Sequence, residues 1–103
     1  MFKPRYQNEQ TDRLVEALLS LENEEEAYRF LEDVLTIQEF RSITQRLEVA
    51  VMLRNRETYQ EIVRKTGAST TTIGRVNRSL QYGADGYTIV LERLSGSDDS
   101  QQK

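Results

Sequence analysis

Apolar residues recur at spacings of three and four along most of this chain, and the breaks in that rhythm divide it into helices. Leu14, Val15, Leu18 and Leu19 share one face of a first helix, for which Thr11 or Asp12 is available as a cap. Asn23 followed by three glutamates marks a second start, because Asn accepts from free amides and first-turn carboxylates oppose the positive end of the helix dipole. Ala27, Phe30, Leu31 and Val34 carry the stripe of that helix, and Leu35-Thr36 ends it. Thr36 and Glu39 then stand at capping-box spacing. Ile37, Phe40, Ile43, Leu47, Ala50 and Val51 run on from them and predict a long third helix, Ile37–Arg54.

Thr58 and Glu61 repeat the box and open a short fourth helix, Tyr59–Thr66, which stops at Gly67. Ser69 caps a fifth, Thr70–Tyr82. After Gly83 and Gly86, "YTIVLERL" predicts a last short helix with Ile89, Val90 and Leu94 apolar. The first ten residues contain the only proline and no periodicity, so they are read as a flexible arm in which Lys3 and Arg5 can touch phosphates. Residues 96–103 read as a polar, disordered tail that cannot pack. The expectation is one all-α domain of about six helices over residues 11–95.

The stretch "KTGASTTTIGRV", residues 65–76, interrupts a chain otherwise rich in Leu, Glu, Arg and Gln with small hydroxyl side chains. Serine and threonine compete with the backbone for hydrogen bonds, so they favour helix starts. Gly67 followed by Ala68 and Ser69 reads as a tight corner between two helices. Measured from Gly67, Ile62 and Val63 lie five and four residues before, Ala68 one after, Ile73 six after and Val76 nine after. Ile62 and Ile73 are placed to meet between the helices while Ala68 keeps the corner small. This is the spacing of a helix-turn-helix over residues 58–82; the plain alternative is a structural hairpin.

Composition narrows the chemistry. With 103 residues the core is small, and dimerisation would enlarge it. The chain has no cysteine and no histidine, which removes disulfides, thiolate metal sites and imidazole acid–base catalysis. No cofactor and no metal site is expected. There is no secretory signal and no apolar run long enough for a membrane span, so a cytoplasmic protein without a membrane partner is expected.

The net charge of −3 looks unsuited to a nucleic-acid binder until it is divided along the chain. Residues 1–53 hold six basic and eleven acidic groups (net −5), residues 54–82 six and two (net +4), and residues 83–103 two and four (net −2). The positive field therefore coincides with the two-helix motif. Arg75 and Arg78 stand three apart on the fifth helix, and Arg64 and Lys65 close the fourth. Ser69, Thr70 and Thr71 put hydroxyls and methyls at the helix end that enters a major groove, where methyls meet thymine and hydroxyls meet phosphate or base edges. Short side chains also let the positive end of the helix dipole approach DNA closely. The candidate DNA-binding set is Arg56, Tyr59, Gln60, Arg64, Lys65, Ser69, Thr70, Thr71, Gly74, Arg75 and Arg78.

Leu35-Thr36, Glu39, Arg46 and "GASTTTIGRVNRSL" together resemble the tryptophan repressor family, over residues 31–94. The resemblance implies a six-helix, all-α fold and an intertwined homodimer in which the first three helices of each subunit interlock. It also implies binding of a pseudo-palindromic double-stranded operator in successive major grooves. In the family's amino-acid-responsive members two arginines sandwich an indole and hold its carboxylate; Arg46 and Arg75 stand at the matching places, with Thr36, Thr72 and Ser79 also matching. Val76 departs from the pattern, since the repressor has glycine there and lodges the ring in the vacant space. A valine fills that slot, and overpacking costs about 1–3 kcal/mol, so a tryptophan corepressor is not expected. Gly74 is a second departure, standing where the repressor has threonine, at a helix cost of about 1 kcal/mol against alanine.

The leading expectation is thus a homodimeric, sequence-specific transcriptional regulator, a repressor by resemblance, that needs no catalytic residue. Two alternatives differ in class. A small helical dimeric enzyme of the chorismate mutase kind would clamp a dicarboxylate with arginines and a glutamate or glutamine, but needs a long first helix, which Asn23 interrupts here. A helix-turn-helix adaptor would bind protein instead.

Overall fold

A left-handed residue at Gly67 turns the chain between the fourth and fifth of its six helices. The computed structural model describes the backbone of residues 1–102 and the side chains of residues 1–96. The helices are α1 (Glu9–Ser20), α2 (Glu24–Val34), α3 (Ile37–Arg54), α4 (Tyr59–Thr66), α5 (Thr70–Tyr82) and α6 (Gly86–Gln102), with no strand among the described residues. The chain divides into two units, Met1–Phe40 and Arg41–Lys103.

In the first unit α1 begins earlier than the apolar stripe suggests. Its cap is Asn8, not Thr11 or Asp12: Asn8 Oδ1 accepts from the Thr11 amide at 2.9 Å, and Thr11 Oγ1 accepts from the Asn8 amide at 2.8 Å. Thr11 at the third helical position takes the reciprocal role more often filled by Glu or Gln. α1 therefore takes Glu9 and Gln10 out of the expected arm. Residues 1–10 are exposed throughout. Asn23 caps α2 as expected, with its Oδ1 2.9 Å from the Glu26 amide. Neither α1 nor α2 has a buried residue, and the stripe of α1 includes Val15 at 52% and Leu19 at 80% exposure.

Thr36 caps α3 with a complete box. Its Oγ1 accepts from the Glu39 amide at 3.1 Å and its own amide donates to Glu39 Oε1 at 2.8 Å. The box at the start of α4 is only half made: Thr58 Oγ1 accepts from the Glu61 amide at 3.2 Å, while the Glu61 carboxylate turns to Arg64.

The core lies in the second unit. Val49, Ala50 and Met52 of α3, Ile62 of α4, Ala68 at the corner, Ile73 and Val76 of α5 and Leu91 of α6 form one buried cluster. Leu47, Val51, Leu53, Leu80 and Tyr87 pack against it half-buried. Ile62 and Ile73 are fully buried, each contributing about 1.5–3 kcal/mol by transfer out of water. The stripe expected along all of α3 is buried only in its C-terminal part, and Ile37 and Ile43 stay exposed. α6 corrects the sequence reading more strongly, since Leu91 and Tyr87 face the core while Ile89, Val90 and Leu94 are left about half exposed. The expected tail, residues 96–103, begins inside the last turns of α6; the side chains from residue 97 and the whole of Lys103 lie outside the described residues.

Two glycines have a geometric reason. Gly67 has φ +74°, and its amide donates to Val63 O at 2.9 Å, closing α4. At Gly83 an added Cβ would stand 2.4 Å from Ser79 O, so no larger residue fits without moving the end of α5.

Replacing Gly67 by alanine is expected to cost about 1–2 kcal/mol in urea denaturation, because an L side chain in this conformation meets its own carbonyl. Asparagine, which tolerates the left-handed region, should cost less at the same position.

Candidate nucleic-acid interface

Two helices and a corner hold the residues of interest. The corner is tied down by Thr66, whose Oγ1 donates to Ile62 O at 2.7 Å and accepts from the Ala68 amide at 3.1 Å. Gln45 of α3 reaches across to donate from Nε2 to Thr66 O at 3.2 Å, satisfying a carbonyl at the open end of α4. The sequence reading missed Gln45 and Thr66, because nothing in a periodicity argument marks a polar residue that caps another helix.

Ser69 caps α5: its Oγ accepts from the Thr72 amide at 3.1 Å and donates to Thr72 Oγ1 at 3.1 Å. The Ser69 hydroxyl proton is thereby engaged within the chain. Thr70 and Thr71 are exposed beside it, and Ile73 is the first residue of α5 whose amide donates to a backbone carbonyl, Ser69 O at 3.0 Å. Thr71, Arg75 and Arg78 lie on the exposed side of α5, away from Ile73 and Val76. Tyr82, 80% exposed, prolongs this side by one turn beyond Arg78 and was not among the residues singled out from the sequence.

The fourth helix contributes differently. Tyr59 and Gln60 are exposed at its start. Its two cations are engaged: Arg64 Nη2 is 3.0 Å from Glu61 Oε2, and Lys65 Nζ is 2.9 Å from Glu57 Oε1. Exposed pairs of this kind contribute about 0–1 kcal/mol, so a phosphate can compete for either cation. Among the described residues Arg56, Arg75 and Arg78 have no carboxylate within ion-pair distance. Arg56 is also the left-handed residue that ends α3: its amide donates to Leu53 O at 3.0 Å and the Glu57 amide to Met52 O at 3.0 Å, with φ +63° at Arg56. Glycine usually fills that position in this kind of helix end.

A cleft of about 220 Å³ lies beside this surface, lined by Ser42, Gln45 and Arg46 of α3, by Thr72, Arg75, Val76 and Ser79 of α5, and by Tyr87 of α6. It brings together five of the six residues proposed from the sequence for an effector pocket. The sixth, Thr36, lies in the first unit, where its hydroxyl caps α3. Val76 is 2% exposed, so its side chain is packed into the core beneath the cleft. Among the described residues there is no cluster of carboxylates able to hold a metal, and no helix is long and apolar enough to cross a membrane.

A short helix, a left-handed glycine corner and a second helix with its polar side outward define a helix-turn-helix protein. The chain belongs to the Trp repressor family: the family model described as Trp repressor protein matches residues 9–95. It is 47% identical over 94 residues to the uncharacterized protein YerC of Bacillus subtilis (strain 168), covering 91% of this chain and 90% of that one. Among solved structures, it is similar to a TrpR-like protein from Eubacterium eligens ATCC 27750, with 57% identity, a TM-score of 0.82, and 85% and 91% of the two chains covered. The structure of a candidate Trp repressor from Staphylococcus aureus gives 47% identity, a TM-score of 0.83, and coverage of 86% and 89%. The six-helix, Trp-repressor-like fold expected from the sequence is therefore established.

Arg56→Gly is expected to raise stability by about 0.5–1 kcal/mol in chemical denaturation, since glycine relieves the left-handed strain but gains freedom when unfolded.

Proposed function

We propose that the protein is a sequence-specific DNA-binding transcriptional regulator, acting as a repressor, which presents the exposed side of α5 to the major groove. The observation that carries this reading is the pairing of a buried hinge, Ile62, Ala68 and Ile73, with an outward face bearing Thr71, Arg75 and Arg78. The buried side fixes which side of α5 points out, and the outward side has the charge and short side chains that groove entry requires. Arg56, Arg64 and Lys65 would position the protein on phosphates, with Tyr59 and Gln60 at the start of α4. Ser69, Thr70 and Gly74 would lie near the base edges. Family membership and the Staphylococcus aureus relative described as a candidate Trp repressor support the same reading.

The working form is proposed to be a homodimer. α1 and α2 have no buried residue and expose Leu14, Val15, Leu18, Leu19, Tyr28 and Val34, apolar side chains of the kind that a partner subunit covers. A two-fold pair also matches the symmetry of a palindromic operator.

The cleft formed by Arg46, Thr72, Arg75, Val76 and Ser79 is proposed as the place where a small effector would act, if the regulator has one. Tryptophan is not that effector, because the Val76 side chain closes the floor at the position where a ring would need space. Titration calorimetry with L-tryptophan is expected to show no saturable heat in the micromolar range; a saturable isotherm would overturn the exclusion of tryptophan.

Selection of bound fragments from random duplex DNA is expected to return a two-fold symmetric consensus with half-sites about one helical turn apart. Replacing Thr71, Arg75 and Arg78 together by alanine should then abolish preference for that consensus over scrambled DNA. Undiminished binding by the triple variant would refute the proposed function. Arg78→Ala alone should make the slope of log affinity against log salt shallower by about one per subunit for each phosphate that the arginine neutralises.

A further inference from the structure

Gly74 sits in the middle of α5, four residues after Thr70 and four before Arg78. Nothing among the described residues asks for glycine there. A Cβ built at position 74 meets no atom within 4 Å, and its φ lies outside the left-handed range that Gly67 occupies. An interior helical glycine lowers helix stability, so its cause has to be sought outside the chain. At about 100° per residue, Thr70, Thr71, Gly74 and Arg78 fall within roughly one quarter to one third of the helix circumference. Ile73 and Val76 occupy the side turned to the core. Position 74 is thus a gap in the outward face, bordered by two threonines and an arginine.

We propose that this gap is a specificity notch: Gly74 leaves room for the 5-methyl group of a thymine, so that the helix backbone comes closer to one base pair than any side chain would allow. The inference rests on the DNA-binding reading above and names the base feature read at one position of the same surface. The thymine methyl is the one apolar projection on a major-groove edge, and it suits a hollow edged by threonine methyls. Arg78, one turn further along, would hold the phosphate backbone that sets the depth of approach.

The test uses the full-length protein and the duplex obtained by selection. Gly74→Ala should raise the melting temperature by about 4–8 °C, since alanine is the better helix former and the space is open. The variant should bind the selected duplex at least tenfold more weakly while holding scrambled DNA as well as the parent does. Replacing one particular thymine of each half-site by deoxyuridine should weaken the parent several-fold yet leave the variant unchanged or improved, because the added methyl on the protein takes the place of the one removed from the base. Equal binding of parent and variant to the selected duplex, or equal sensitivity of both to deoxyuridine at every thymine, would overturn the notch and leave the DNA-binding reading intact. A lowered melting temperature or a changed oligomeric mass for Gly74→Ala would also overturn it, by showing that the space is filled by the protein itself. If the parent selects no duplex, both readings fall together.

Discussion

The orientation of α5 depends on one corner. Gly67 turns the chain in a conformation that side chains resist, and within six residues on either side Ile62 and Ile73 are buried in one cluster with Ala68 between them. A larger residue at 68 would push the helices apart, and a residue other than glycine at 67 would strain the bend. Because α5 is held on its buried side by Ile73 and Val76, three residues apart, its outward side is fixed without any contact of its own. Gln45 extends this restraint to α3 through Thr66 O, so the corner is anchored to the helix that supplies the centre of the core. What the outer residues can do chemically follows from that seating, since none of Thr71, Arg75 or Arg78 is needed to hold the fold.

Electrostatics divides the cations of this region into two sorts. Arg64 and Lys65 each lie against a glutamate of the same motif, and those glutamates also have local duties: the Glu61 amide completes the Thr58 cap, and Glu57 follows the left-handed Arg56. The pairs hold the two side chains close to the protein surface at little net energy. Arg56, Arg75 and Arg78 have no such partner among the described residues and extend the positive field outward. A chain of net charge −3 can therefore present a cationic surface, because the acidic excess resides in residues 1–53 and, to a lesser degree, 83–103. The same acidic excess would discourage DNA from meeting α1 and α2.

Periodicity and caps made the limits of α2, α3, α4 and α5 readable because each begins with a side chain whose hydrogen bond is local in sequence. The start of α1 was misread since Asn8 precedes the apolar stripe by six residues, and a stripe marks where a helix packs rather than where it begins. The side of α6 that packs is written in the spacing, since Tyr87, Val90, Leu91 and Leu94 stand at i, i+3, i+4 and i+7 and share one face with Ile89 opposite, but a reading built on Ile89, Val90 and Leu94 passes over Leu91, the buried residue of that face. In the site, residues defined by distance from Gly67 were accessible to sequence reasoning, whereas Gln45, tied to Thr66 over 21 positions, was not. Tyr82 escaped for a simpler reason: no charge or hydroxyl pattern led beyond Arg78.

Val76 bears on how the two ends of this surface are related. Its side chain belongs to the core cluster and at the same time lies under the cleft between α3 and α5. With glycine at that place, the seating of α5 would rest on Ile73 and half-buried Leu80, and a ring in the vacancy could supply the missing contact. With valine, the contact is already made, two turns of α5 are fastened to α3 by the chain's own side chains, and the cleft above keeps a lining dominated by hydroxyls, Gln45 and two arginines. Close packing leaves little room for both arrangements at one position. Val76 thus gives α5 a contact with the core that the chain makes by itself, and on the proposed reading an occupant of the cleft would act on Gln45, Arg46 or Arg75 at the rim instead of propping the helix from below.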